Sequence, residues 1–140
     1  MGIDFGERRT GVALSDPTGT LASPLRTLER RVGQRLPLKA LEELARARDV
    51  TALVVGIPID LRGDETEWSR RVRTAGEELG RRLGIPVDFV DERFSSVQAE
   101  RAVRSAGLPR RERERKERVD RAAAALLLQG WLDRRARGRS

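Results

Sequence analysis

Residues 2–15 read GIDFGERRTGVALS, and this stretch decides the fold. Gly2–Phe5 is a short apolar strand, Gly6–Arg9 a polar turn, and Thr10–Ser15 a second strand antiparallel to the first. An acid, Asp4, stands inside the first strand between Ile3 and Phe5. A buried carboxylate is costly unless it is paired or metal-bound. An Asp near a strand end can also simply cap a turn, so this residue alone leaves the two readings level.

Working outward, Asp16-Pro17-Thr18-Gly19 is a turn, and Leu21–Leu28 a third strand that Pro24 confines to an edge or breaks. Leu36, Leu38, Leu41, Leu44 and Ala45 recur at helical spacing and predict a helix from about Leu36 to Arg48. Ala52–Gly56 is a continuous apolar run that suits a central strand buried on both faces. A loop over Gly56–Gly63 leads to a helix from about Glu65 to Leu83, stopped by Gly84 with Pro86 just beyond. Val87–Glu92 is another strand, and Ser95 with Gln98 can cap a helix over Ser96–Ser105. Residues 107–118 are polar and basic. The last helix sets Val119, Ala122, Ala123, Leu126, Leu127 and Trp131 on its buried side. The order β-β-β-α-β-α-β-α-α suits one α/β domain over residues 1–140, a mixed sheet flanked by helices, with a basic tail from about residue 134.

Composition narrows the chemistry. The 140 residues carry 29 Lys plus Arg against 22 Asp plus Glu, a net charge of +7, and nearly all the cations are Arg. An Arg-rich surface suits bidentate phosphate contacts, although solvated helix faces account for the charge equally well. The chain has no Cys, His or Tyr. Thiol nucleophiles, disulfides, Cys or His zinc sites and imidazole acid–base catalysis are therefore excluded. Neither a Gly-x-Ser-x-Gly elbow nor a Gly-x-x-x-x-Gly-Lys-Ser/Thr loop occurs. Carboxylates holding a hard divalent metal are the leading chemistry left. No apolar run reaches the ~18 residues of a membrane span, which makes the cytoplasm the expected location and a membrane an unexpected partner.

Two more acids stand in unusual places. Glu92 ends the strand that begins at Val87, and Asp120 sits beside the apolar stripe of the last helix, ahead of Ala122–Ala125. Small alanines let that helix approach the sheet closely. Taken singly, Glu92 can pair with a neighbour such as Arg93, and Asp120 can pair with Lys116 four residues earlier. Taken with Asp4, in a chain without His or Cys, the three favour a joint site.

At this point the residues resemble a known family. Asp4–Ala13 (DFGERRTGVA) is similar to the opening motif of the YqgF/RuvX family, and three later segments match in family order: Gly56-Ile57-Pro58 with Gly63, Asp91–Ser96 (DERFSS), and Val119–Leu132 (VDRAAAALLLQGWL). The resemblance spans nearly the whole chain. It implies an RNase H-like fold with a five-stranded sheet of order 3-2-1-4-5, close to that of Holliday junction resolvases. It further implies a nuclease acting on the 5′ end of pre-16S ribosomal RNA, on branched DNA, or on both. Asp4, Glu92 and Asp120 would be its catalytic, metal-binding acids.

With that strand order, strand four separates Asp4 from Glu92, and their backbones lie roughly 10 Å apart. Two ions ~3.5–4 Å apart, each with a ~2 Å bond to oxygen, span about 8 Å, a gap that inward-pointing side chains can close. Gly56, at the end of strand four, would leave that space open. Two Mg²⁺ or Mn²⁺ ions are the expected cofactors. Asp91 competes with Glu92, because neighbouring strand residues face opposite sides; the family motif and the longer side chain favour Glu92.

Substrate grip falls to Arg8, Arg9, Arg93 and the segment containing Arg110, Arg111, Arg113, Arg115 and Lys116, which reads either as a phosphate-binding loop or as an exposed, self-paired helix start. Phe94 and Trp68 can stack on bases, but packing explains both equally simply. The partners implied are RNA, structured DNA and ribosomal precursor particles, for a monomer or a homodimer. Two rivals remain: a non-catalytic RNA-binding ribosome-assembly factor, and an ATP-binding protein of the actin or hexokinase type, which would need a second such domain.

Overall fold

The computed structural model describes residues 1–31, 33–60, 62–92 and 112–138, with residues 112–120 described by their backbone alone. Five strands, β1 (Gly2–Phe5), β2 (Arg9–Ser15), β3 (Ala22–Glu29), β4 (Leu53–Ile57) and β5 (Val87–Asp91), form one sheet of order β3-β2-β1-β4-β5. β1, β2 and β3 pair antiparallel, whereas β1–β4 and β4–β5 are parallel. Pro24 lies in β3, at the sheet edge where its missing N–H is harmless. The apolar run forms β4, and all five of its residues are buried between helices on both faces.

Helices α1 (Leu38–Ala47) and α2 (Glu67–Leu83) cover one face, and α3 (Glu112–Gly138) covers the other. α1 starts two residues later than its apolar spacing predicts. Pro37, whose ψ of 57° is not helical, stands at its N-cap. α2 likewise starts after Thr66. Thr66 Oγ1 accepts from Ser69 N at 3.1 Å while Ser69 Oγ accepts from Thr66 N at 2.6 Å, a reciprocal cap that fixes the first turn. Gly84 ends α2 in the left-handed region, with φ 66° and ψ 33°.

α3 decides between two readings at its start and departs from expectation at its end. Its backbone is helical from Glu112, so the part of the basic segment from 112 to 118 is a helix start and not a loop. At the other end, the expected tail continues as exposed helix to Gly138. Residues 133–137 include no breaker, and the Arg135 guanidinium lies 4.6 Å from the centre of the Trp131 ring one turn earlier. The helix predicted over Ser96–Ser105, with its cap at Ser95 and Gln98, lies outside the described residues.

The core is in two parts. Ile3, Phe5, Leu41, Val55, Val72 and Leu79 belong to a large aliphatic cluster between the sheet and α1/α2. Ala13, Val54, Ala123, Ala124, Leu127 and Leu128 belong to a smaller one beneath α3.

Candidate active site

Side chains alternate along a strand, so Gly2 and Asp4 share one face of β1. That face meets α3. A Cβ on Gly2 would lie 2.9 Å from Leu128 Cβ and 3.0 Å from the Ala124 carbonyl oxygen. The helix therefore rests almost directly on β1, an approach that glycine at position 2 permits. Asp4, two residues along, is 2% exposed.

The parallel register, Gly2 with Val54 and Ile3 with Val55, continues to set Asp4 beside Gly56. Gly56 in turn pairs with Val90, and Glu92 lies two residues beyond Val90 on the same side. Glu92 is 4% exposed, and its chain folds back over β4. A Cβ on Gly56 would meet Glu92 Oε1 at 2.7 Å, Glu92 Cγ at 3.1 Å and Leu127 Cδ2 at 3.1 Å. The carboxylate thus occupies the volume that any other residue at position 56 would fill. The gap between β1 and β5 is narrowed from one side by the longer acid. Asp91 is paired with Ile57 one position earlier and shares the face of Phe89, which packs with the large cluster. It lies on the opposite side of the sheet from Asp4.

Burial, and then the neighbouring Asp91 carboxylate, push the Glu92 carboxyl up to about 7. A proton is thereby kept on a group that a cation would need ionised.

Side-chain hydrogen bonds fix the course of α3. Trp131 Nε1 donates to Asp88 Oδ2 at 2.6 Å, tying the helix to β5. Gln129 accepts from Ala22 N at 2.8 Å and donates to the Thr20 carbonyl at 2.9 Å, tying it to the β2–β3 turn. Position 120 lies one turn before Ala124. Four residues of helix advance about 6 Å, which matches the roughly 7 Å from Gly2 to Asp4 along β1. Position 120 thus stands on the same helix, one turn nearer its start than the Ala124 contact with β1.

The donors are oxygen atoms only, the set that hard cations such as Mg²⁺ and Mn²⁺ prefer. Among the described residues no group of three His, Cys, Asp or Glu side chains is close enough together to hold a metal. The described side chains supply two acids, Asp4 and Glu92.

The predicted grip residues separate. Arg8 is exposed in the turn after β1, whereas Arg9 is mostly buried in β2 and pairs with Glu29 at 3.6 Å. Arg113, Arg115 and Lys116 are placed on the first turns of α3 by backbone position; Arg93, Phe94, Arg110 and Arg111 lie outside the described residues. Trp68 is half-buried against the large cluster, with two guanidinium groups over its ring. Its ring is engaged in packing, and no sequence pattern singles out the two arginines, Arg30 and Arg71.

The sheet order and flanking helices are those of an RNase H-like fold. Thermus thermophilus RuvC in complex with a Holliday junction substrate superposes with a TM-score of 0.56, covering 96% of this chain and 94% of that chain at 17% identity. A second Thermus thermophilus RuvC structure gives 0.55 at 18% identity, with the same coverage. At such identities the likeness is one of fold.

Sequence carries the comparison further. The chain belongs to the RuvX family, whose profile, described as Holliday junction resolvase, matches residues 1–134. Curated relatives share the name "Putative pre-16S rRNA nuclease". The one from Roseiflexus sp. (strain RS-1) is 45% identical over 133 residues, 95% of this chain and 92% of the relative. That from Anaeromyxobacter sp. (strain K) is 42% identical over 136 residues, 97% of each. The expected family and sheet order are both found, and nuclease is the class that the profile and the relatives define.

Proposed function

We propose that this chain is a metal-dependent nuclease that hydrolyses phosphodiester bonds, with the 5′ end of pre-16S rRNA as its main substrate and branched DNA as a second one. One observation carries the reading. Two acids, 2% and 4% exposed, lie on one side of the sheet, Asp4 on the central strand β1 and Glu92 just past the edge strand β5, and the Glu92 carboxylate fills the volume left open by Gly56. Folds do not bury two carboxylates above a glycine for stability, because each loses its hydration.

Asp4, Glu92 and Asp120 would hold two Mg²⁺ or Mn²⁺ ions, the third acid coming from α3. When bound, such ions acidify an attacking water and stabilise the leaving oxygen. The chain supplies the rest. β1 holds Asp4 on a rigid central strand. Gly56 keeps room for Glu92, and Glu92 gives up its carboxyl proton when a cation competes for it. Arg8, with Arg93 and the basic start of α3, holds phosphates. No protein nucleophile is needed, in keeping with a chain that lacks Cys and His. Among the described residues no helix is long and apolar enough to cross a membrane. A cytoplasmic enzyme working on ribosomal precursor particles, as a monomer or homodimer over one domain, fits this reading.

The test is cleavage of end-labelled single-stranded RNA, single-stranded DNA and a four-way junction with Mn²⁺, Mg²⁺ or EDTA. Cutting that needs the metal, and that Asp4→Asn or Asp120→Asn abolishes while binding persists, is the expected result. Binding without cutting on every substrate and metal would overturn the reading in favour of a non-catalytic assembly factor.

A further inference from the structure

Arg30 and Arg71 hold their guanidinium carbons 5.7 and 5.3 Å from the centre of the Trp68 ring. The two charges are therefore within about 11 Å of each other, about one to one and a half Debye lengths at physiological salt. No described carboxylate forms an ion pair with either of them. Ion pairs are formed by Arg9, Arg46, Arg73, Arg81 and Arg82 instead. Of the acids close by in sequence, Glu29 pairs with Arg9, Glu65 pairs with Arg73, and Glu67 stands one turn before Arg71 on α2 without coming within ion-pair distance of it. Asp60 accepts from the Arg62 and Asp64 backbone at 2.9 Å each, closing its own loop.

The arrangement is built. Arg30 is half-buried, with Nη1 donating to the Gln34 carbonyl and its Nε buried without an acceptor, an unfavourable placement. Trp68 is anchored against the large core, so its indole fixes both cations in place. The group also sits at the site's own end of the sheet. Arg30 N donates to the Arg8 carbonyl at 2.8 Å, and Arg8 belongs to the turn that follows Asp4 and Phe5. Arg31, Arg35 and Arg70 are exposed as well and make no ion pair among the described residues.

We propose that Arg30 and Arg71, positioned by Trp68, are a second docking point for the nucleic-acid strand: they bind its phosphates on the α1/α2 side of the sheet end while the scissile phosphate lies by Asp4. Each guanidinium would offer a planar N–H fork to a phosphate of the strand. The inference rests on the nuclease reading for where the strand goes, but not for how it is measured.

The test measures affinity of the full chain for a fluorescent single-stranded RNA in EDTA, where no turnover occurs, across a salt series. Arg30→Gln with Arg71→Gln is compared with Arg81→Gln with Arg82→Gln, an equal charge change at the far end of α2. The first pair should weaken binding at least fivefold and flatten the slope of log affinity against log salt by about 1.4, two single-strand phosphate contacts. The control pair should change both much less. Arg71→Gln alone, an exposed change that leaves folding intact, should account for about half of the slope change. Trp68→Phe should weaken binding while leaving the slope near wild type, since it loosens the cations without removing them. Equal losses in both pairs, or an unchanged slope in the first, would overturn the docking point. Neither result depends on whether cleavage is ever seen.

Discussion

The two faces of the sheet are built from the same strands for opposite ends. Against α1 and α2, the strands present Ile3, Phe5, Val55 and Ile57 to Leu41, Val72 and Leu79, a filled aliphatic layer. Against α3, the same β1 and β4 present Gly2, Asp4, Val54 and Gly56 to Ala123, Ala124 and Leu127. One residue of offset separates a face that stabilises the fold from a face that carries acids. The large cluster can hold the sheet together while the α3 side, thin in apolar volume, tolerates two buried carboxylates. Stability and chemistry are thus divided between the faces of single strands.

The sharpest way to break this comparison is to damage each face separately. Leu79→Ala, in the filled layer, should lower unfolding free energy by about 2–5 kcal/mol. Cleavage per folded molecule should hardly change. Chemical denaturation read beside activity at a temperature where both proteins stay folded checks this. A comparable loss of turnover would mean that the two faces are not independent.

The acid face should show the opposite sign. The folded protein keeps the Glu92 proton up to about pH 7, whereas an unfolded chain releases it near 4.5. In EDTA this residue's contribution is therefore fully present below pH 4.5 and is lost as pH rises through 7, by up to roughly 3 kcal/mol. Glu92→Gln cannot ionise, so wild type minus variant should fall over that pH window and then level off. A flat difference would mean that Glu92 is not desolvated as its burial implies. Added Mg²⁺ or Mn²⁺ should reverse the trend for wild type alone, because ligation requires the carboxylate.

Gly56→Ala probes the boundary. Its new Cβ would press on the far end of Glu92, a flexible chain that can swing away. Stability should change by about 1 kcal/mol or less, yet cleavage should drop roughly 10- to 100-fold, because a displaced ligand costs far more in chemistry than in packing. Retained turnover with an unshifted metal affinity would separate Glu92 from the site. The smallest effect expected is that of Trp131→Phe. It removes the hydrogen bond to Asp88 and should cost about 1 kcal/mol in a thermal melt, with a slight loss of turnover through α3.

Much of this was legible in the chain. The turn between β1 and β2, the apolar run of β4 and the glycine stop of α2 announce themselves through local chemistry, because each is decided by residues a few positions apart. Asp4 and Glu92 stand out for the same reason: a charge in or at the end of an apolar strand is a local anomaly. The helix starts were less legible, since Pro37 overrides an apolar period that runs through it and the reciprocal cap of Thr66 with Ser69 sets the start of α2 in a stretch without an apolar period. The basic segment before Asp120 left a loop and a helix start level, because it is polar on every side and no apolar period decides between them.

By itself the sequence determined the element order, the family and the residue types able to do chemistry, since alternation, turn residues and the absence of His and Cys are properties of the chain. Only the tertiary structure decided which acids share a face, that Glu92 lies in the space above Gly56, and that Trp68 gathers Arg30 and Arg71. Apart from Trp68 with Arg71, one helical turn apart, those relations join residues 36 to 88 positions apart through strand register and helix packing, and no local pattern encodes the distance between two side chains that meet only when the sheet closes.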